Sequence, residues 1–87
     1  MSYARRKEHK LRFLKKHKNF AQNAFRDAVR LRDKGKSLRT SETIMQLVRM
    51  ARTNLHYSDK TNTEDIFWSL MKVHHEQKEK EWETPTT

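Results

Sequence analysis

Arg5, Arg6, Lys7, Lys10 and Arg12 place five permanent cations within eight residues near the N-terminus. A guanidinium offers a planar fork of N–H donors that matches two phosphate oxygens or the O6/N7 edge of guanine, while an ammonium is a compact point charge. Neither group makes or breaks bonds here, so the chemistry of the cluster is to hold a polyanion. Lys15, Lys16, Lys18, Arg26 and Arg30 carry the series onward, with Asn19, Gln22 and Asn23 interleaved as donors and acceptors for base edges. Tyr3 sits at the head of the series, and its ring suits stacking on an unpaired base.

Other chemistry lacks a foundation. The chain has no cysteine, hence no disulfide, thiolate metal site or thiol nucleophile. His9 and His17 are scattered, and His74, His75 and Glu76 are adjacent residues that face different sides of a helix. There is no HExxH spacing, so no metal is expected. Glu64 and Asp65 read as helix-start acids, and Asp27 and Asp33 as salt-bridge acids. With no Gly-rich phosphate loop, nucleophile elbow or His-Asp dyad in sight, neither an enzyme nor a cofactor is expected.

The elements that must position the cations are helical. No Gly or Pro interrupts residues 3 to 34, and Gly35 follows at the position where a left-handed residue ends a helix. The pattern predicts one long helix over 3–34, about 48 Å in length, with a break near Asn19 as the alternative. Phe13, Leu14, Phe20, Ala21, Ala24, Phe25, Ala28 and Leu31 fall within an arc of roughly 140°. Arg5, Arg12, Lys15, Lys16, Arg26, Arg30 and Lys34 fall within roughly 100° on the other side. Because Arg6, Lys7 and Lys10 fall in the apolar arc's own range, the first three turns are expected to project as a cationic arm, with Phe13 to Leu31 packing on the rest.

A second amphipathic helix is expected over 40–55, capped by Thr40 or Ser41, with Ile44, Leu47, Val48, Ala51 and Leu55 inside. After a polar connector over 56–61, Thr61-Asn62-Thr63-Glu64 has capping-box spacing, with Asn62 and Thr63 as rival caps. A third helix is predicted over 62–81, burying Ile66, Phe67, Leu70, Met71, Val73 and His74 and turning Trp68 elsewhere. Tyr57, Trp68 and Trp82 are expected outside the core. The prediction is an all-α fold of about three helices in one domain, 1–82, with a flexible tail over 83–87.

Charge distribution turns these elements into an oriented surface. The 87 residues carry 20 Lys and Arg against 11 Asp and Glu. Residues 1–39 hold fourteen cations and three acids, while residues 61–87 hold three and six. Solubility does not require such asymmetry, and a directed contact with an anion does. No apolar run is long enough to span a membrane, and no apolar signal core follows the basic N-terminus, so a cytoplasmic location is expected. The acidic third helix also makes a homodimer through opposed charge reasonable.

In size, basicity and lack of cysteine, together with Arg5-Arg6-Lys7 and Arg12-Phe13-Leu14-Lys15-Lys16, the chain resembles small accessory proteins of tailed bacteriophages. It looks most like the phage-encoded RNA-binding inhibitors of ToxN-type endoribonuclease toxins. That resemblance implies RNA as a partner, a host toxin or nuclease as a target, and action in the host cytoplasm. The residues themselves favour a nucleic-acid-binding protein that prefers RNA, since no short helix-turn-helix pair is evident. The alternatives are an inhibitor docking directly on an acidic enzyme surface and a small DNA-binding accessory protein. A membrane-surface role fits poorly, because the apolar arc of the first helix is needed to cover the other two.

Overall fold

In the computed structural model the backbone is described for residues 3–83 and the side chains for 7–78. All regular structure among the described residues is helical: α1 (Tyr3–Lys16), α2 (Lys18–Asp33), a 3₁₀ turn (Leu38–Thr40), α3 (Glu42–Leu55) and α4 (Thr63–Glu83). Residues 84–87, most of the expected tail, lie outside the description, and Glu83 itself ends α4.

The predicted single helix over 3–34 is two helices. Helical geometry is lost at His17 (φ −119°, ψ 42°). Its N–H still donates to the Phe13 carbonyl at 3.1 Å, and its own carbonyl accepts from the Ala21 N–H at 2.9 Å, so the register passes nearly intact through the break. Phe13 and Leu14 before it, and Ala21, Ala24 and Ala28 after it, therefore enter the same core. A straight helix of about 48 Å would overrun the molecule's 42 Å longest dimension. Bending at His17 lets α1 fold over α4 and α3 instead of projecting. The expected free arm is overturned for its described part: Leu11 packs on the core, and Lys7 meets Glu76 of α4 at 2.9 Å. The acidic helix answers the cations that no apolar partner covers.

α2 stops where the sequence says it should. Gly35 takes φ 66°, the Lys36 N–H reaches the Leu31 carbonyl at 2.8 Å, and the Gly35 N–H reaches that of Arg32 at 3.0 Å, the paired bonds of a Schellman end. Leu38 then plugs the core from the 3₁₀ turn. Ser41, not Thr40, caps α3: its hydroxyl accepts the Ile44 N–H at 3.2 Å and donates to Asp27 of α2 at 2.8 Å. Asp27 is thus a partner of a cap, where a salt bridge was expected.

α3 is the centre of the fold, packing on α1, α2 and α4. Ile44, Leu47, Val48 and Ala51 are sealed from solvent on it. The three alanines of α2 allow close approach of that helix. α4 begins at Asn62, whose side chain accepts the Asp65 N–H at 2.8 Å. It buries the six residues expected, Ile66, Phe67, Leu70, Met71, Val73 and His74. The helices run over 42–55 and 63–83, close to the 40–55 and 62–81 expected. The result is a slab 18 Å thick, less than two full helix diameters.

Candidate nucleic-acid interface

The face of α2 opposite its alanines carries Asn19, Asn23, Arg26 and Arg30, spaced at four, three and four residues and all exposed. Such spacing keeps four side chains in one line about 16 Å long. Arg12, Lys15 and Lys16 are exposed in the last two turns of α1, and Lys18 begins α2 on the other side of the break. Lys16 and Lys18 therefore flank the break at His17.

Among the described residues, only Lys7 and Arg39 have a carboxylate within ion-pair distance, Glu76 for the first and Glu64 at 3.7 Å for the second. Among the described residues, no carboxylate lies within ion-pair distance of Arg12, Lys15, Lys16, Lys18, Arg26 or Arg30. A decorative charged helix normally pairs its cations with acids three or four residues away, and here Asp27 is committed to Ser41.

Of the thirteen residues predicted as contacts, Arg12, Lys15, Lys16, Lys18, Asn19, Asn23, Arg26 and Arg30 are exposed on α1 and α2, as a contact surface requires. Lys7 is exposed too but engaged with Glu76, and Lys10 is half-buried beside the connector between α3 and α4. Tyr3, Arg5 and Arg6 lie in the first turn of α1, with side chains outside the described residues.

Sequence reading missed a second group. Arg49 and Arg52 on α3, with His56 just past its end, line a shallow concavity, and His56 also faces His9 and Arg12 across a neighbouring one. Arg52 is partly engaged, donating to the Ser58 carbonyl at 3.2 Å. The three-residue spacing of Arg49 and Arg52 was visible in the sequence, but only the packing of α1 across the end of α3 puts their concavity, which Asp59 also lines, beside the one that holds Arg12. Tyr57, expected outside the core, is half-buried, with its hydroxyl 2.8 Å from that of Ser69. Trp68 does turn outward, 43% exposed, with its ring edge against Phe67.

His74 is buried on α4, 3.3 Å from the Gln22 side chain, a contact that ties α4 to α2. No three His, Cys, Asp or Glu among the described residues are grouped to hold a metal ion. Among the same residues, no helix is long and apolar enough to cross a membrane. No family model matches the chain, and neither does any curated protein or any solved structure.

Proposed function

We propose that this protein is a non-enzymatic nucleic-acid-binding protein that prefers RNA and grips the phosphate backbone with the outer faces of α1 and α2. The observation that carries this reading is the run of exposed cations, Arg12, Lys15, Lys16, Lys18, Arg26 and Arg30, without a carboxylate partner among the described residues. Their charge is available to release counterions from a polyanion, which is the main source of affinity in such complexes.

The preference for RNA over duplex DNA is supported by the way α3 is used. In a helix-turn-helix reader, the second helix follows a turn of three or four residues and presents its N-terminal side chains to the major groove. Here residues 34–41 separate α2 from α3, and the exposed residue of the first turn of α3 is Glu42, an acid that repels phosphate. The cationic face lies on α1 and α2, and basic helices of that kind suit the irregular grooves of folded RNA.

The test is a binding titration of the full chain against an RNA hairpin and a DNA hairpin of the same sequence. Six neutralised phosphates make affinity fall by about a thousandfold between roughly 50 and 200 mM salt. The RNA is expected to bind more tightly at every salt concentration. Affinity that barely responds to salt would remove the phosphate-gripping face from consideration.

A second contact, with a protein, is favoured by Trp68, exposed on the outer face of α4 and away from its buried side. Large exposed aromatics are enriched at protein interfaces. A host nuclease held through both RNA and Trp68 is the form in which the inhibitor role implied by the phage resemblance fits this surface. Capture of the same partner before and after nuclease treatment distinguishes the contributions: retention means direct protein contact, and loss means an RNA bridge.

A further inference from the structure

α3 ends because His56 enters the left-handed region (φ 54°, ψ 46°), which turns the chain away and leaves the imidazole exposed beside the last turn. α1 crosses this end, so that His9, Arg12 and Lys16 of α1, with His17 at the break, face Asn54 and His56 across a concavity of about 300 Å³. Its floor is apolar, made by Phe13 and Leu55, both part of the core packing. The His17 ring lies 4.9 Å from that of Phe13 at an angle of 55°. Asn54 is fixed by a 2.8 Å bond from its Nδ2 to the Met50 carbonyl. That bond leaves the amide oxygen to accept from a ligand.

Flat rings around an apolar floor, an oriented amide and two cations at the rim are the parts of a site for a planar, polar, anionic ligand. The volume lies at the lower end of the range typical for small-molecule sites. The imidazoles are not grouped as a metal-ligand set. Arg12 and Lys16 belong both to this rim and to the phosphate-gripping face, so a strand lying along α1 passes the opening.

We propose that the concavity receives one unpaired nucleotide of the bound RNA, its base stacking among His9, His17 and His56 and its flanking phosphates held by Arg12 and Lys16. This assignment rests on the RNA-binding reading and sharpens it. A duplex keeps its bases stacked on one another and has no free ring face to offer, whereas a loop or bulge does. The protein therefore selects RNA with an unpaired segment over a uniform duplex.

The test compares two labelled RNAs of equal nucleotide number, a hairpin with a single-stranded loop and a blunt duplex, against the full chain and two variants. His9 is exposed, and His56 occupies a backbone conformation that glycine adopts freely, so the double variant His9→Ala/His56→Gly preserves the fold. Asn54→Ala is the second variant, at an exposed helical position. Unmodified protein is expected to bind the hairpin about tenfold more tightly than the duplex, the contribution of a stacked base. Both variants lose hairpin affinity toward the duplex value and leave the duplex affinity unchanged. Circular dichroism monitors helicity, and if the double variant loses it, Asn54→Ala alone decides. Equal binding of the two RNAs by the unmodified chain, or an undiminished hairpin preference in a folded variant, overturns the nucleotide site and leaves RNA binding standing. Binding of neither RNA overturns both.

Discussion

Gly35 and Ser41 both set helix ends, and they differ in how far their effects reach. Gly35 acts locally: with φ at 66° and nothing within 4 Å of an added Cβ, Gly35→Ala meets no steric obstacle and still forces an alanine into the left-handed region. The expected cost is about 1 to 2 kcal/mol, a fall in melting temperature of roughly 4 to 16 °C for a domain of this size. Ser41 acts at a distance as well, because one hydroxyl caps α3 and holds Asp27 of α2. Ser41→Ala removes both bonds and is expected to cost about 1 to 2 kcal/mol in urea unfolding. Asp27→Ala keeps the cap and loses less. Gly35 and one of two rival caps at Thr40 and Ser41 were legible because their chemistry involves residues a few positions away. The bond to Asp27 was not, since it joins residues fourteen apart whose proximity depends on how α2 lies against α3.

At the scale of elements, the decisive event is the bend at His17. Neither Gly nor Pro stands there, and the apolar pattern remains in phase on both sides, so the amino-acid pattern favours one helix, and the break falls close to the alternative at Asn19. Across the break α1 packs on α4 and α3 while α2 packs on α3, a tertiary arrangement that periodicity does not encode. The inner face of α4, by contrast, was read correctly residue by residue, because Asn62 marks its start and its apolar positions recur at helical spacing. Once bent, α1 is held to the body by two kinds of contact of unequal weight. The Lys7–Glu76 pair has side chains 52% and 40% exposed. Pairs that wet are worth about 0 to 1 kcal/mol. Leu14, 1% exposed, seats the same helix in the core, and Leu14→Ala is expected to cost about 2 to 5 kcal/mol. Lys7→Glu should lower stability by less than about 1 kcal/mol and be restored by Glu76→Lys. A larger loss would show that charge attraction, and not the apolar seat, docks α1.

The whole molecule is a thin slab with its cations gathered at one end of the sequence and its acids at the other. α4 neutralises part of α1 through Glu76, and Arg12, Lys15 and Lys16 of α1 and Lys18, Arg26 and Arg30 of α2 are exposed. The cationic surface is therefore smaller than the sequence suggested around Lys7 and Lys10 and includes Arg49 and Arg52 at the end of α3. Its central cations are Arg26 and Arg30, exposed on α2 and without carboxylate partners among the described residues. Replacing both with glutamine should leave unfolding free energy within about 0.5 kcal/mol of the original, since both are exposed and neither has an ion-pair partner among the described residues. The same replacement should weaken RNA binding and reduce the slope of log affinity against log salt by roughly 1.4 to 1.8, the loss of two phosphate contacts. Fluorescence anisotropy across a salt series gives that slope directly. A lower affinity with an unchanged slope would mean that the two arginines shape the surface without touching phosphate. An unchanged affinity would remove α2 from the interface and leave the contact to α1 and the end of α3.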